Sequence, residues 1–149
     1  MTSQPSGMPT ADVESVVRRY YEVVADLSTR VDDLEPLLAP DFRVTEHPNA
    51  ISPNGAVRNR DGTIAGFMAG KNLLREQSFD VHEIVVAGGR AAARLTWRGV
   101  VGIDAGPLTA GQQLVAEIAS FLTVRDGRVV DQETFDCYEP FTNSGSSTE

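Results

Sequence analysis

The order of periodicities along the chain predicts an α+β domain, an antiparallel sheet with helices on one face. Three observations carry this. Apolar residues repeat with helical spacing near the start, whereas four long alternating runs separated by Gly-rich turns fill the second half. The length, 149 residues with 41% hydrophobic and 23% charged, suits one domain with its own core.

Residues 1–9 and 142–149 are small, polar and aperiodic, and read as disordered tails flanking one domain at 10–141. Val13, Val16, Val17, Tyr20, Tyr21, Val24 and Leu27 fall at i, i+3, i+4, i+7 spacing, one stripe of a first helix. Thr10 offers its N-cap, with Asp12 and Glu14 in the first turn. A short second helix takes Asp32 as cap and Leu34, Leu37 and Leu38 as its apolar face. Pro36 is tolerated in the first turn, and Pro40 ends the helix. Phe42 to His47 reads as a strand closed by Pro48, and Asn49 to Arg60 as a loop. Asp61 caps a third helix bearing Ile64, Phe67, Met68, Leu73 and Leu74. Strands follow at 79–87, 90–101, 112–125 and 128–138. Gly88-Gly89 and Asp126-Gly127 make the hairpin turns, and a Gly/Pro loop lies between the middle pair.

Net charge of −8 argues against a nucleic-acid partner, since phosphate binding needs a basic patch. Cys137 is the only cysteine, so no internal disulfide forms. The first residues lack the charged and apolar regions of a signal peptide, and no apolar run reaches the ~20 residues of a membrane helix. A cytoplasmic protein without membrane attachment is expected.

The segments SVVRRYYEVV, LLAPDFRVTEHPN and FLTVRDGRVVDQETFD, with the closing DCYEPF, resemble the NTF2-like superfamily. The likeness is strongest to its SnoaL-like and ketosteroid-isomerase-like branches and spans about residues 11–141. The resemblance implies a cystatin-like cone, its antiparallel sheet wrapped around three N-terminal helices. It also implies a pocket at the open end, a small hydrophobic ligand and a homodimer.

With the final hairpin superposed on the family's without a gap, alternation turns Gln132, Thr134, Asp136 and Tyr138 into the pocket. Val115, Glu117, Ala119 and Phe121 would face inward from the neighbouring strand, and Arg94, Thr96 and Arg98 from the one beyond. A one-residue slip inverts such a set. The aspartate of SnoaL-like cyclases falls on Thr134, and the Arg-x-Asp of epoxide-hydrolase-like members becomes Arg94-Leu95-Thr96. Epoxide hydrolysis of that kind is therefore disfavoured. Of the steroid-isomerase-like set, the base falls on His47, the helix tyrosine on Tyr20, and the sheet aspartate on Ala119.

Each candidate has a structural and a chemical reading. Tyr20 is a core phenol or an oxyanion donor. His47 orients the loop after it or acts as a base near neutrality. Glu117 and Asp136 form ion pairs with Arg94 or Arg98, or one is an acid of raised pKa; alternatively the charged set lines a dimer interface. Cys137 reads as a buried inert thiol, and His82 as a half-exposed sheet residue. Positions 47 and 82 have no metal-ligand spacing, so no metal site is expected. Trp97 and Phe121 serve packing or substrate contact.

The sequence thus leads to cofactor-free proton transfer on a hydrophobic carbonyl compound, with His47 as base, Tyr20 as oxyanion donor and Asp136 or Glu117 orienting. Gln132, Thr134, Arg94, Phe121 and Tyr138 would line the substrate. A non-catalytic binding domain and a dimeric protein-interaction module are the alternatives.

Overall fold

The computed structural model describes residues 10–141, so the two expected tails lie outside the described residues. Helix α1, Thr10–Ala25, buries Val13, Val17, Tyr20 and Tyr21 along the expected stripe. Thr10 belongs to the helix itself, and its side chain is outside what is described. The helix stops before Leu27, where Asp26 Oδ1 accepts from the Ser28 N–H at 2.8 Å and turns the chain.

Helix α2 is one turn, Val31–Leu34, followed by a 3₁₀ turn over Glu35–Leu37. Asp33, rather than Asp32, caps it: its Oδ2 accepts from the Arg30 N–H at 3.0 Å. Leu38 and Pro40 belong to strand β1, Leu38–Glu46, and not to the helix. Pro40 is accommodated because pairing with the neighbouring strand is irregular between Leu38 and Arg43, where no ladder donor is needed.

The expected loop contains a short strand, β2, Ala56–Asn59, antiparallel to β1. Helix α3, Arg60–Leu73, follows it. Its cap is Asn59, whose Oδ1 accepts from the Gly62 N–H at 2.8 Å; Asp61 lies in the first turn. Strand β3, Leu74–Ala87, takes Leu74 from the expected helix, and β4 is Arg90–Val101. Strands β5, Gln113–Arg125, and β6, Arg128–Tyr138, join through Asp126-Gly127. Both turn residues have positive φ (54° and 76°), the left-handed geometry that Asp-Gly accommodates.

The strands form one six-stranded sheet in the order β2-β1-β6-β5-β4-β3. Four neighbouring pairs are antiparallel, but β1 runs parallel to β6, so the sheet is not purely antiparallel. Nor do all three helices precede it: α3 enters after the β1–β2 hairpin. Helix α1 lies across β3 to β6, and α3 against β1 to β3. Between them sits a core built on Val13, Val17, Leu34, Leu38, Phe42, Leu95, Leu122 and Val129, all 0–1% exposed. Each such side chain contributes about 1.5–3 kcal/mol by leaving water. A smaller cluster of Val101, Leu108 and Leu114 closes the far end beside Trp97.

Candidate functional site

One irregularity in the final hairpin decides which side chains meet inside. Arg125 pairs with Arg128 and Val124 with Val129, but Thr123 pairs with Asp131. Val130 is therefore an extra residue, a bulge, and beyond it every pairing moves by one. Gln132, Thr134, Asp136 and Tyr138 do face inward on β6. Their partners on β5 are Leu122, Ser120, Ile118 and Ala116. Val115, Glu117, Ala119 and Phe121 thus lie on the opposite, outer face, contrary to the gapless expectation. The same register carries into β4, where Leu95 stands opposite Ile118 and Trp97 opposite Ala116. Arg94, Thr96 and Arg98 consequently face outward, and Arg94 approaches Glu83 at 3.6 Å with both side chains exposed.

His47 also leaves the interior. On β1, Val44 stands opposite Gln132 and Glu46 opposite Thr134, so Glu46 takes the inward place and His47 turns out. Its Nε2 lies 2.6 Å from Glu133 Oε2, and its ring stacks on Phe135 at 4.1 Å. Phe121 meets Phe135 edge-on at 6.1 Å. Glu117 accepts from the Thr96 hydroxyl at 2.9 Å, and that hydroxyl also contacts His82 Nε2 at 2.7 Å. Cys137 is exposed rather than buried, because it shares this outer face with Glu117.

The interior holds a cavity of about 240 Å³. Val24, Phe79, Trp97 and Ile118 give it an apolar wall, and Tyr20, Tyr21, Gln132, Thr134, Asp136 and Tyr138 supply its polar groups. A second lobe of about 280 Å³, bounded by Leu34, Val44, Arg58 and Phe67, shares Tyr20, Val24 and Gln132 with the first. The Tyr20 hydroxyl donates to Gln132 Oε1 at 2.6 Å, so this pair stands between the lobes. The largest concavity, about 490 Å³, is a groove lined by Arg18, Glu22 and Asp26 on the other side of Tyr21 and Phe79. Of the groups lining it, Tyr21, shared with the interior cavity, has a raised pKa, and Asp26 has a lowered one.

A continuous hydrogen-bond chain crosses the cavity wall. Tyr20 donates to Gln132, and the Gln132 amide donates to Ser120 Oγ at 3.4 Å. Ser120 donates to Thr134 Oγ1 at 3.1 Å, and Thr134 donates to Asp136 Oδ1 at 2.5 Å. Every donor points toward Asp136, which leaves the carboxylate as the terminal acceptor. Partial burial pushes the Asp136 pKa above its ordinary value of 3.8. The Thr134 hydrogen bond opposes that rise, and the negative charge of Glu46 adds to it. Glu46 itself pairs with Arg58 at 3.0 Å and accepts from Asn49 Nδ2 at 2.8 Å.

Three phenols surround this acid. Burial raises the pKa of Tyr20 and of Tyr138 well above the ordinary phenol range, and that of Tyr21 to about 12. All three are therefore neutral donors near pH 7. Of the residues singled out from sequence, Tyr20, Gln132, Thr134, Asp136 and Tyr138 come together here. His47, Glu117, Arg94 and Phe121 do not. Tyr21, Ser120 and Glu46 were missed. The alternation Phe42, Val44, Glu46 marks the last of these as the inward residue of its strand. For Ser120 there is no such mark, because its face depends on the bulge.

The sequence pattern of the SnoaL-like domain matches residues 17–132. An uncharacterized protein of Schizosaccharomyces pombe is 26% identical over 130 residues, covering 83% of this chain and 86% of its own. Among solved structures, IdmH, a candidate polyketide cyclase from Streptomyces antibioticus, superposes with a TM-score of 0.69. It is 25% identical over 83% of this chain and 91% of its own. A candidate SnoaL-like polyketide cyclase from Jannaschia sp. CCS1 superposes with a TM-score of 0.70. It is 17% identical over 91% of this chain and 90% of its own, which bears on the fold alone.

Proposed function

The chain belongs to the SnoaL-like domain family, and from that premise we propose that it catalyses proton transfer on a small hydrophobic carbonyl compound held in its interior cavity. The six-stranded curved sheet with three helices is the family's NTF2-like frame. One observation carries the chemistry: Asp136, an acid of raised pKa, ends a hydrogen-bond chain inside a cavity with an apolar wall. Proton transfer from carbon needs a base poised nearer neutrality than an exposed carboxylate, and partial burial moves Asp136 in that direction.

In the proposed step the Asp136 carboxylate takes a proton from the carbon beside the carbonyl. The electron pair of that C–H bond moves onto the carbonyl oxygen and gives an enolate. Returning the proton at another carbon isomerises the compound. Attack of the enolate carbon on a second carbonyl forms a C–C bond and closes a ring, with the proton passing to the new alkoxide. Thr134 holds Asp136 through Oδ1, and among the described residues no hydrogen bond reaches its Oδ2. That oxygen is the one offered to substrate. Tyr20 acts at one remove, by fixing Gln132 and with it the start of the chain.

The kinship with IdmH supports an isomerase or cyclase of this kind. The test uses 2-tetralone deuterated at its α-carbons, with loss of deuterium to water followed by proton NMR. Wild-type protein accelerates exchange over buffer, and Asp136→Asn loses about 10²–10⁴-fold of the acceleration. Equal rates in the two proteins would remove Asp136 from the chemistry. No acceleration by wild type would count against the carbonyl class.

A further inference from the structure

We propose that the Tyr21 hydroxyl is the donor that grips the carbonyl oxygen of the bound compound. The proposal rests on the reading of the cavity as a site for a hydrophobic carbonyl compound, and it names the residue that recognises the oxygen.

Among the described residues, Tyr21 Oη is a buried side-chain oxygen with no hydrogen-bond partner. The residue is 4% exposed and lines the cavity that Asp136 enters. Its hydroxyl lies close enough to Ser120 and Gln132 for both to lower its pKa, and the charge of Asp136 raises it; full hydrogen-bond geometry is met with none of them. The ring cannot swing out to water without repacking. It lies 5.3 Å from the Tyr20 ring and 5.6 Å from that of Phe79.

Native interiors seldom leave a phenol in this condition, because an unmade hydrogen bond costs stability. The neighbouring Tyr20 shows the ordinary solution, its hydroxyl engaged by Gln132 at 2.6 Å. The two tyrosines follow one another on α1, so a helical step of about 100° gives their side chains different directions. Tyr20 is therefore already committed, and Tyr21 is free for a ligand.

What Tyr21 lacks sets the chemistry of its partner. A neutral phenol near pH 7 donates, so the missing group is an acceptor oxygen, not an ammonium or an alkyl group. The walls of Val24, Phe79, Trp97 and Ile118 require that oxygen to arrive on an apolar, ring-sized body. With Asp136 in the same cavity, the acceptor oxygen and the carbon that yields its proton meet two different side chains.

The test compares 2-acetylnaphthalene with 2-isopropenylnaphthalene, which has a C=CH₂ group where the ketone has C=O. Wild-type protein should bind the ketone about tenfold more tightly, the value of one made hydrogen bond. Tyr21→Phe should abolish that preference by weakening the ketone and leaving the alkene unchanged. A ligand-free melt gives an independent readout: Tyr21→Phe removes an unsatisfied group and should melt above wild type. A ketone preference retained in Tyr21→Phe would overturn the proposal, as would a lower melting midpoint, which reveals a partner for the hydroxyl within the protein. Equal binding of both compounds by wild type removes the role of Tyr21 and leaves the apolar site standing. Binding of neither compound overturns the carbonyl reading and this proposal together.

Discussion

Asp136 carries a stability consequence separate from its chemistry. Its carboxyl binds a proton more tightly in the folded chain than in the unfolded one, because burial raises its pKa above 3.8. The stability it contributes is fully present below pH 3.8 and is lost as pH rises through the folded pKa. Asp136→Asn removes that loss while keeping an oxygen to accept from Thr134. The variant should therefore melt above wild type at pH 7, with the gain shrinking as pH falls toward 3.8. Equal melting curves across this range would show that Asp136 carries no such strain. At the same scale, part of the site is legible in sequence. Gln132, Thr134, Asp136 and Tyr138 alternate cleanly with Glu133, Phe135 and Cys137, so their common face follows from period two alone. Tyr21 is hidden because helical spacing marks it only as core.

At the scale of elements, sequence errors cluster where one local choice competes with another. Asn59 and Asp61 are both acceptable caps two residues apart, and only the short strand β2 ending at Asn59 decides between them. That strand is four residues long, too short to show alternation above a Pro- and Gly-rich background. The assignment is testable: Asn59→Ala should cost about 1 kcal/mol in urea denaturation, and Asn59→Asp much less, since aspartate also caps. An equal cost for Asp61→Ala would point to the first-turn charge instead of the cap. The sequence places Leu38 in the helix and Pro40 at its end, because proline stops helices; both stand in a strand, where an irregular stretch of β1 asks nothing of the missing N–H. The bulge at Val130 is the costliest omission. Nothing in RVVDQ marks it, and it moved Arg94, Glu117 and Phe121 to the outer face while leaving β6 correct.

For the whole molecule, the two faces of one sheet separate two chemistries. The inner face, capped by α1 and α3, is apolar with one hydrogen-bonded chain ending at Asp136. The outer face carries the polar and ionic contacts of His47, Glu133, Thr96 and Glu117 together with the exposed rings of Phe121 and Phe135. No helix among the described residues is long and apolar enough to cross a membrane. The α+β class, the helix stripe and the last three strands were legible because each rests on a period repeated over ten or more residues. The parallel β1–β6 contact was not, since it joins segments far apart in the chain and leaves no local pattern. What the fold achieves is to place a partly buried carboxylate at the end of a line of aligned donors. The most direct measurement is a pH titration of the Asp136 carboxyl carbon by ¹³C NMR in the ligand-free protein, with Asp136→Asn used to assign the resonance. A midpoint above 3.8 is predicted; a midpoint at or below 3.8 would mean an ordinary solvated carboxylate and would contradict proton transfer at this site.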